Sequence, residues 1–546
     1  MTVDDRCPAA AQSSTDHEAR ADELVSGLVR EPWGQVSPSV YETARLVALA
    51  PWLDGHAQRV AYLLESQRPD GGWGAPGGYA LVPTLSATDA LLGELRRPSG
   101  GADRAALERS ADRGLRTLSR LTTELREDDI PDMPAVDLIS ASLVGSVGER
   151  LRALQESPSA DAEPWRHRTP PPLPAGIDRR RLDFVLAALD AGVTLPDKLF
   201  HALEVAGHAA TGVKGAPPAA TGTIGASPAA TAAWLGGTRP SAPHGPALRF
   251  LQSAVRRHGG PVPCGLPVTV FERSWVLGGL LRAGLSPAVP AGLTEDLAAA
   301  LGPDGTPAAA GLPADADTTS MTLYTLSLLG VRKSPEALWR YETDTHFCTW
   351  PGEDGYSTSV NAHVLDAFGE YLRGARRSPA DNNPRTVRRT AAAVRKLSSW
   401  LQDQQHGDGS WHDRWHVSPY YATACCALAL SDFGGAGAGA AVARAVRWML
   451  DTQRADGSWG RWEGTAEETA YALQVLSLSR TPADPAVVRA VTDGVRNLRR
   501  AAEGGPRPAL WHDKDLYLPA AIVEAEILAA LHLVGRGFPA ATDAPH

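Results

Sequence analysis

The chain has 546 residues, of which 43% are apolar and 21% charged, a globular balance too long for one ordinary core, so two domains are expected. A formal charge of −9 argues against a nucleic-acid surface and any strong attraction to anionic membrane. Five cysteines (Cys7, Cys264, Cys348, Cys425, Cys426) are few, odd in number and without metal-ligand spacing, which fits a reducing, cytoplasmic setting. The first twenty residues, polar and acidic, lack the basic start and apolar core of a signal peptide, and no apolar run is long enough to span a bilayer.

In chain order, the first strong signal is Gln67–Trp73, QRPDGGW, which follows the amphipathic stretch VAYLLES. The same Gln-x-x-Asp-Gly-x-Trp pattern returns at Gln405–Trp411 (QHGDGSW) and Gln453–Trp459 (QRADGSW). Asp-Gly forms a turn because glycine supplies the positive φ that ends a helix. Each copy therefore closes one helix, turns and opens the next, with the Trp bracing successive helix pairs. Repeated helical hairpins that cannot bury a face alone predict α/α barrels or solenoids, and strand signals are nearly absent. Between the first and second copies, Pro-rich stretches at Pro158–Pro174 and Lys214–Pro228 read as surface loops or inter-helix connections. The tail beyond Arg536 reads as disordered.

Residues 314–321, Ala-Asp-Ala-Asp-Thr-Thr-Ser-Met, carry carboxylates at i and i+2 at the mouth of an apolar helical run. On local sequence alone, Asp315 and Asp317 read as an N-terminal helix cap. Their surroundings give them a second meaning. SVYETA (Ser39–Ala44), SPAATA (Ser227–Ala232), VFERSWVL (Val270–Leu277), DADTTSM, FCTWPGE (Phe347–Glu353), SVNAHVL (Ser359–Leu365), DRWHVSPYYATA (Asp413–Ala424) and LWHDKDLY (Leu510–Tyr517) follow one another in order. This series resembles the class II terpene cyclases, and within them the bacterial class II diterpene cyclases that make copalyl diphosphate.

The resemblance implies an all-α fold of two α/α-barrel domains. Residues 1–36 and 266–546 would form one, called β, and residues 37–265 the other, called γ and inserted into it. It also implies protonation-initiated cyclisation of geranylgeranyl diphosphate with the diphosphate retained, giving copalyl diphosphate, first of all its ent isomer. A normal, syn or halimadienyl-type product, a squalene–hopene-type triterpene cyclase and a non-catalytic barrel scaffold are the alternatives. A class I terpene synthase would consume the product.

By the same resemblance the proton donor is Asp317, with Asp315 beside it and Thr318 where the family has a further acid. Burial and the like charge should leave one proton on the pair, against a helix end worth roughly 0.3–1 kcal/mol in favour of the anion. Asn361 is expected to donate to Asp317, and His363 ranks below it. Trp275, Trp350, Trp415, Tyr420, Tyr421, Trp511 and Tyr517 are candidate walls for a carbocation, since aromatic faces stabilise cations by about 0.5–2 kcal/mol each. The stretch Met133–Leu143 is similar to the family segment whose acid assists Mg²⁺ and diphosphate, which maps to Asp137, one methylene shorter than the family's Glu; Asp132 is a second candidate. Lys514, with Arg179, Arg180 and Arg181, is available to the diphosphate. Asp128–Asp132 matches the D-D-x-x-D of class I synthases literally, but Pro131 breaks the helix such a motif needs.

Overall fold

The computed structural model describes residues 8–97, 103–157, 160–238, 245–378, 383–502, 504 and 507–538. Cys7, Pro158, Ser159 and the tail from residue 539 lie outside them.

Two closed rings of helices organise the described residues. In the first, Thr269–Arg282, Ala316–Leu328, Thr358–Arg377, Pro419–Phe433, Ala466–Leu476 and Ala520–Gly537 each pack on the next, and the last packs back on the first. An outer layer of Pro8–Arg30, Ala291–Ala300, Pro384–Asp403, Gly439–Asp451 and Pro485–Ala502 covers this ring. Ala21, Val25 and Leu28 of the first helix share its apolar core, across more than two hundred intervening residues. The second ring closes through Val40–Leu49, Leu81–Glu94, Val136–Gln155, the 3₁₀ stretch Asp197–Ala210 and Pro228–Leu235.

The layering follows from pattern. The inner helices Leu81–Glu94 and Ala466–Leu476 are covered on every side, with every residue buried and most of them apolar or small. The outer helix Pro384–Asp403 buries only a stripe, Thr386, Thr390, Ala393, Leu397, Ser398 and Leu401, at helical spacing. Six of the inner helices begin on side-chain caps, Ser39, Ser227, Asp315, Ser357, Ser418 and Thr465, each accepting a backbone N–H of its own first turn.

The three repeats share one geometry. Trp73, Trp411 and Trp459 donate their indole N–H to Leu63, Leu401 and Met449 carbonyls at 2.7, 2.8 and 2.7 Å. Gln67, Gln405 and Gln453 each tie their own turn to a carbonyl of the outer helix that follows, those of Ser110, Ala441 and Ala490. Gly71, Gly409 and Gly457 have φ of +88°, +102° and +84°, and a Cβ there would strike the backbone of that outer helix. The repeats are bolts between hairpins, and none of their residues reaches the cavity described below.

The strands in the described residues are a two-residue pair, Trp511–His512 against Leu516–Tyr517, antiparallel with Trp511 opposite Tyr517. This hairpin lies between the rings. No described helix is long and apolar enough to cross a membrane.

Candidate active site

A cavity of about 910 Å³ opens between the two rings, within the range of ligand sites. It sits at the N-terminal ends of inner helices. Phe271, Asp317, Trp350, Trp415 and Tyr517 reach it from one ring, and Val136, Asp137 and Lys198 from the other.

Asp315 and Asp317 divide the two readings of their motif between them. Asp315 is the cap: its Oδ1 accepts the Thr318 N–H at 2.6 Å and its Oδ2 the Thr318 hydroxyl at 3.1 Å. The helix starts at Ala316, so Asp317 stands in its first turn. Successive helical residues point about 100° apart; Asp317 turns to the cavity, where its side chain keeps 16% exposure. Burial pushes the Asp315 carboxyl up to about 7; the Thr318 N–H opposes this and the Asp317 charge adds to it. Thr318 therefore serves Asp315 directly.

Asn361 does not reach Asp317. Its amide is consumed by Phe347 N–H (2.8 Å), Phe347 carbonyl (3.0 Å) and Ser357 carbonyl (2.7 Å), which pins the loop before its helix. His363, two residues on and so on another face of that helix, takes the position instead, with Nδ1 2.6 Å from Asp317 Oδ1. Burial alone would lower the imidazole pKa, but the Asp317 carboxylate outweighs it and the net shift is upward. Trp275 stands edge-on to this imidazole at 5.5 Å.

Of the aromatic candidates, Trp350, Trp415, Tyr421, Trp511 and Tyr517 line the cavity, joined by Phe271. Trp275 lies one layer back, against Phe271 at 4.4 Å. Tyr420 is corrected: it packs on Trp448 at 4.7 Å, away from the cavity, because adjacent residues of one helix cannot both face inward.

Lys514 is also corrected. Its ammonium is fully buried and held by Glu42 (2.9 Å), Glu204 (2.8 Å), Ser227 Oγ (2.8 Å) and the His201 carbonyl (2.9 Å). Burial would lower its pKa, but the Glu204 and Glu42 carboxylates overcome that and raise it. Lys514 thus fastens the Trp511–Tyr517 hairpin to the opposite ring and is not part of the cavity lining. The partner carboxylates lie in SVYETA and in the 3₁₀ stretch, too far along the chain for sequence spacing to reveal them.

At the cavity rim, Asp132 pairs with Arg414 at 2.6 Å and Asp137 with Arg181 at 3.2 Å. Arg414 also bonds Glu353 at 2.6 Å, and Arg180 and Lys198 line the same rim. Asp128 and Asp129 lie in an exposed 3₁₀ turn, Glu127–Asp129, outside the cavity lining. Among the described residues no three His, Cys, Asp or Glu side chains converge as a metal site. Two groups that sequence reasoning missed are His201, bonded to Asp513 at 2.7 Å in the cavity wall, and His512, whose burial lowers its pKa to about 4. Neither carries a local pattern that separates it from a core histidine.

The squalene-hopene cyclase C-terminal domain model matches residues 359–503. The chain is 41% identical to the ent-copalyl diphosphate synthase of Streptomyces sp. strain KO-3988, over 95% of its own length and 96% of the relative's. It is 40% identical to the labda-7,13-dienyl diphosphate synthase of Streptomyces clavuligerus, over 100% and 97% of the two chains. The solved ent-copalyl diphosphate synthase from Streptomyces platensis superposes with a TM-score of 0.88 at 43% identity, covering 95% of this chain and 100% of that one.

Proposed function

The chain belongs to the class II diterpene cyclases of the copalyl diphosphate synthase kind, and on that premise we propose that it cyclises geranylgeranyl diphosphate to ent-copalyl diphosphate. The observation that carries the reading is Asp317, a carboxyl facing an aromatic-walled cavity, with His363 on one oxygen and a buried neighbour, Asp315, whose carboxyl is pushed up to about 7.

Burial disfavours net charge, and three titratable groups meet here. Asp317 holds the reacting proton on the oxygen that His363 leaves free, while the imidazole Nδ1–H donates to Oδ1. That proton passes from Asp317 to the terminal alkene carbon, whose π electrons form the new C–H bond. The cation left behind is attacked by the next double bond, and two rings close. As the proton leaves, His363 stabilises the new carboxylate by a charge-assisted hydrogen bond, worth about 1.5–3 kcal/mol.

The helix ends around the cavity disfavour a cation by roughly 0.3–1 kcal/mol each. The faces of Trp350, Trp415, Tyr421 and Trp511 offset this, at about 0.5–2 kcal/mol apiece and more where water is excluded. A water molecule or side-chain base takes a proton from the bicyclic cation, and the electrons of the broken C–H bond form the product's alkene.

The diphosphate belongs at the rim, where Arg180, Arg181, Lys198 and Arg414 gather. Asp132 and Asp137 would hold Mg²⁺ there; two carboxylates with phosphate oxygens suit that ion, which rarely uses an all-protein cage. The bound metal would neutralise diphosphate charge and anchor it without breaking its ester bond. Since the product keeps its diphosphate, an ionisation-initiated class I synthase is the enzyme that would consume it.

Relatives of nearly equal identity carry different product names, so overall similarity does not choose the isomer. Incubation with geranylgeranyl diphosphate, dephosphorylation and chiral gas chromatography with mass detection tests the assignment. Ent-copalol is the expected product, and conversion of squalene alone would overturn it.

A further inference from the structure

Behind the Trp511 wall lies a second buried acid that the chemistry above does not use. Glu467 opens the inner helix Ala466–Leu476, keeps 2% exposure and does not reach the cavity. Three donors converge on its Oε1: the Trp511 indole N–H at 2.8 Å, His416 Nε2 at 3.1 Å and the Tyr471 hydroxyl at 3.1 Å. His416 Nδ1 accepts the Ser418 N–H at 3.0 Å, so its Nε2 carries the hydrogen given to Glu467. The second oxygen, Oε2, is buried without a partner.

The rings stack outward from this acid. His416 lies parallel to Tyr421 at 4.5 Å and edge-on to Trp511 at 5.2 Å, and Tyr421 and Trp511 meet at 4.9 Å. Both Tyr421 and Trp511 present their other side to the cavity. An acceptor on an indole N–H fixes the ring plane and pushes electron density into the π system, which strengthens the face a cation meets. A carboxylate does this more strongly than a neutral acceptor, and here low-dielectric surroundings leave it little screened.

We propose that Glu467 is a positioning residue for the cyclisation, acting through the Trp511 N–H to make that indole the principal cation-stabilising wall. The proposal rests on the cyclase reading. It predicts a coupling that a packing role would not produce.

Glu467→Gln is the probe, because glutamine offers the same Oε1 to all three donors and changes only the partnerless oxygen. Wild type, Glu467→Gln, Trp511→Phe and the double variant are compared with geranylgeranyl diphosphate, by steady-state kinetics and by the monocyclic fraction of the dephosphorylated products. Glu467→Gln is expected to lower kcat about 10-fold, with KM within about twofold and more monocyclic product. In the Trp511→Phe background, which has no N–H to bond, the same change should alter kcat less than about twofold. Tyr471→Phe, which removes a competing donor and leaves the indole bond, should keep wild-type kcat. Equal losses from Glu467→Gln in both backgrounds, no loss in either, or a Tyr471→Phe loss as large as that of Glu467→Gln would overturn the proposal. A wild-type chain inert on geranylgeranyl diphosphate would instead overturn the cyclase reading beneath it, and is seen before any variant is made.

Discussion

Replacing His363 by Phe isolates the contact on which proton delivery depends. Phenylalanine keeps the planar ring and its edge contact with Trp275 but has no nitrogen to meet Asp317 Oδ1, now 2.6 Å away. The imidazole is buried and the carboxyl it serves keeps 16% exposure to the cavity, so the change removes one charge-assisted bond without stranding Asp317 in a dry core. Such a bond is worth about 1.5–3 kcal/mol. If it is made most strongly as the carboxylate forms, kcat falls about 10- to 150-fold, at 1.36 kcal/mol per factor of ten. KM stays near wild type, since His363 lies away from the diphosphate rim. Steady-state turnover, followed by mass detection of the dephosphorylated product, measures the loss, and thermal unfolding checks the fold. Asn361→Leu is the counterpart: it breaks three buried bonds that fasten the Phe347 loop and should cost about 3 kcal/mol or more of stability. If His363→Phe turns over within twofold of wild type while Asn361→Leu is stable but inactive, the reasoning about the acid is wrong.

Lys514→Met leaves Glu42 and Glu204 buried without their cation and should destabilise the fold by about 3–5 kcal/mol, read as a lower denaturant midpoint; unchanged stability with a raised KM would restore Lys514 to the diphosphate. Asp317→Asn should abolish cyclisation by at least about 10³-fold with circular dichroism unchanged. Asp315 binds its proton up to about pH 7 when folded and only to 3.8 when unfolded. The folded state therefore binds more protons between these values, and its stability falls as pH rises from about 4 to 7. Likewise kcat/KM should fall as pH rises through about 7, and Asp315→Asn, which keeps the cap but cannot ionise, should remove that step. Arg414→Gln frees Asp132 and Glu353 at the rim and should raise KM about 10-fold with kcat little changed, measured over a substrate titration.

What the sequence determined alone was whatever repeats or is read locally. Three Gln-x-x-Asp-Gly-x-Trp copies specify helical hairpins because each encodes its own turn, bolt and brace within a few residues. The Asp315–Met321 run specifies a capped helix start, and so Asp315 and Asp317 could be found together. Which of two close neighbours faces the cavity was decided elsewhere. Asn361 against His363, and Tyr420 against Tyr421, differ by about 100–200° around a helix, and only packing against adjoining helices fixes the rotation. Lys514 reads as a free cation because its two carboxylates lie more than three hundred residues away, in the other ring. Charge, burial and partner are properties of the closed double ring, so the sign of each acid's and base's contribution emerged only once distant segments had been brought together.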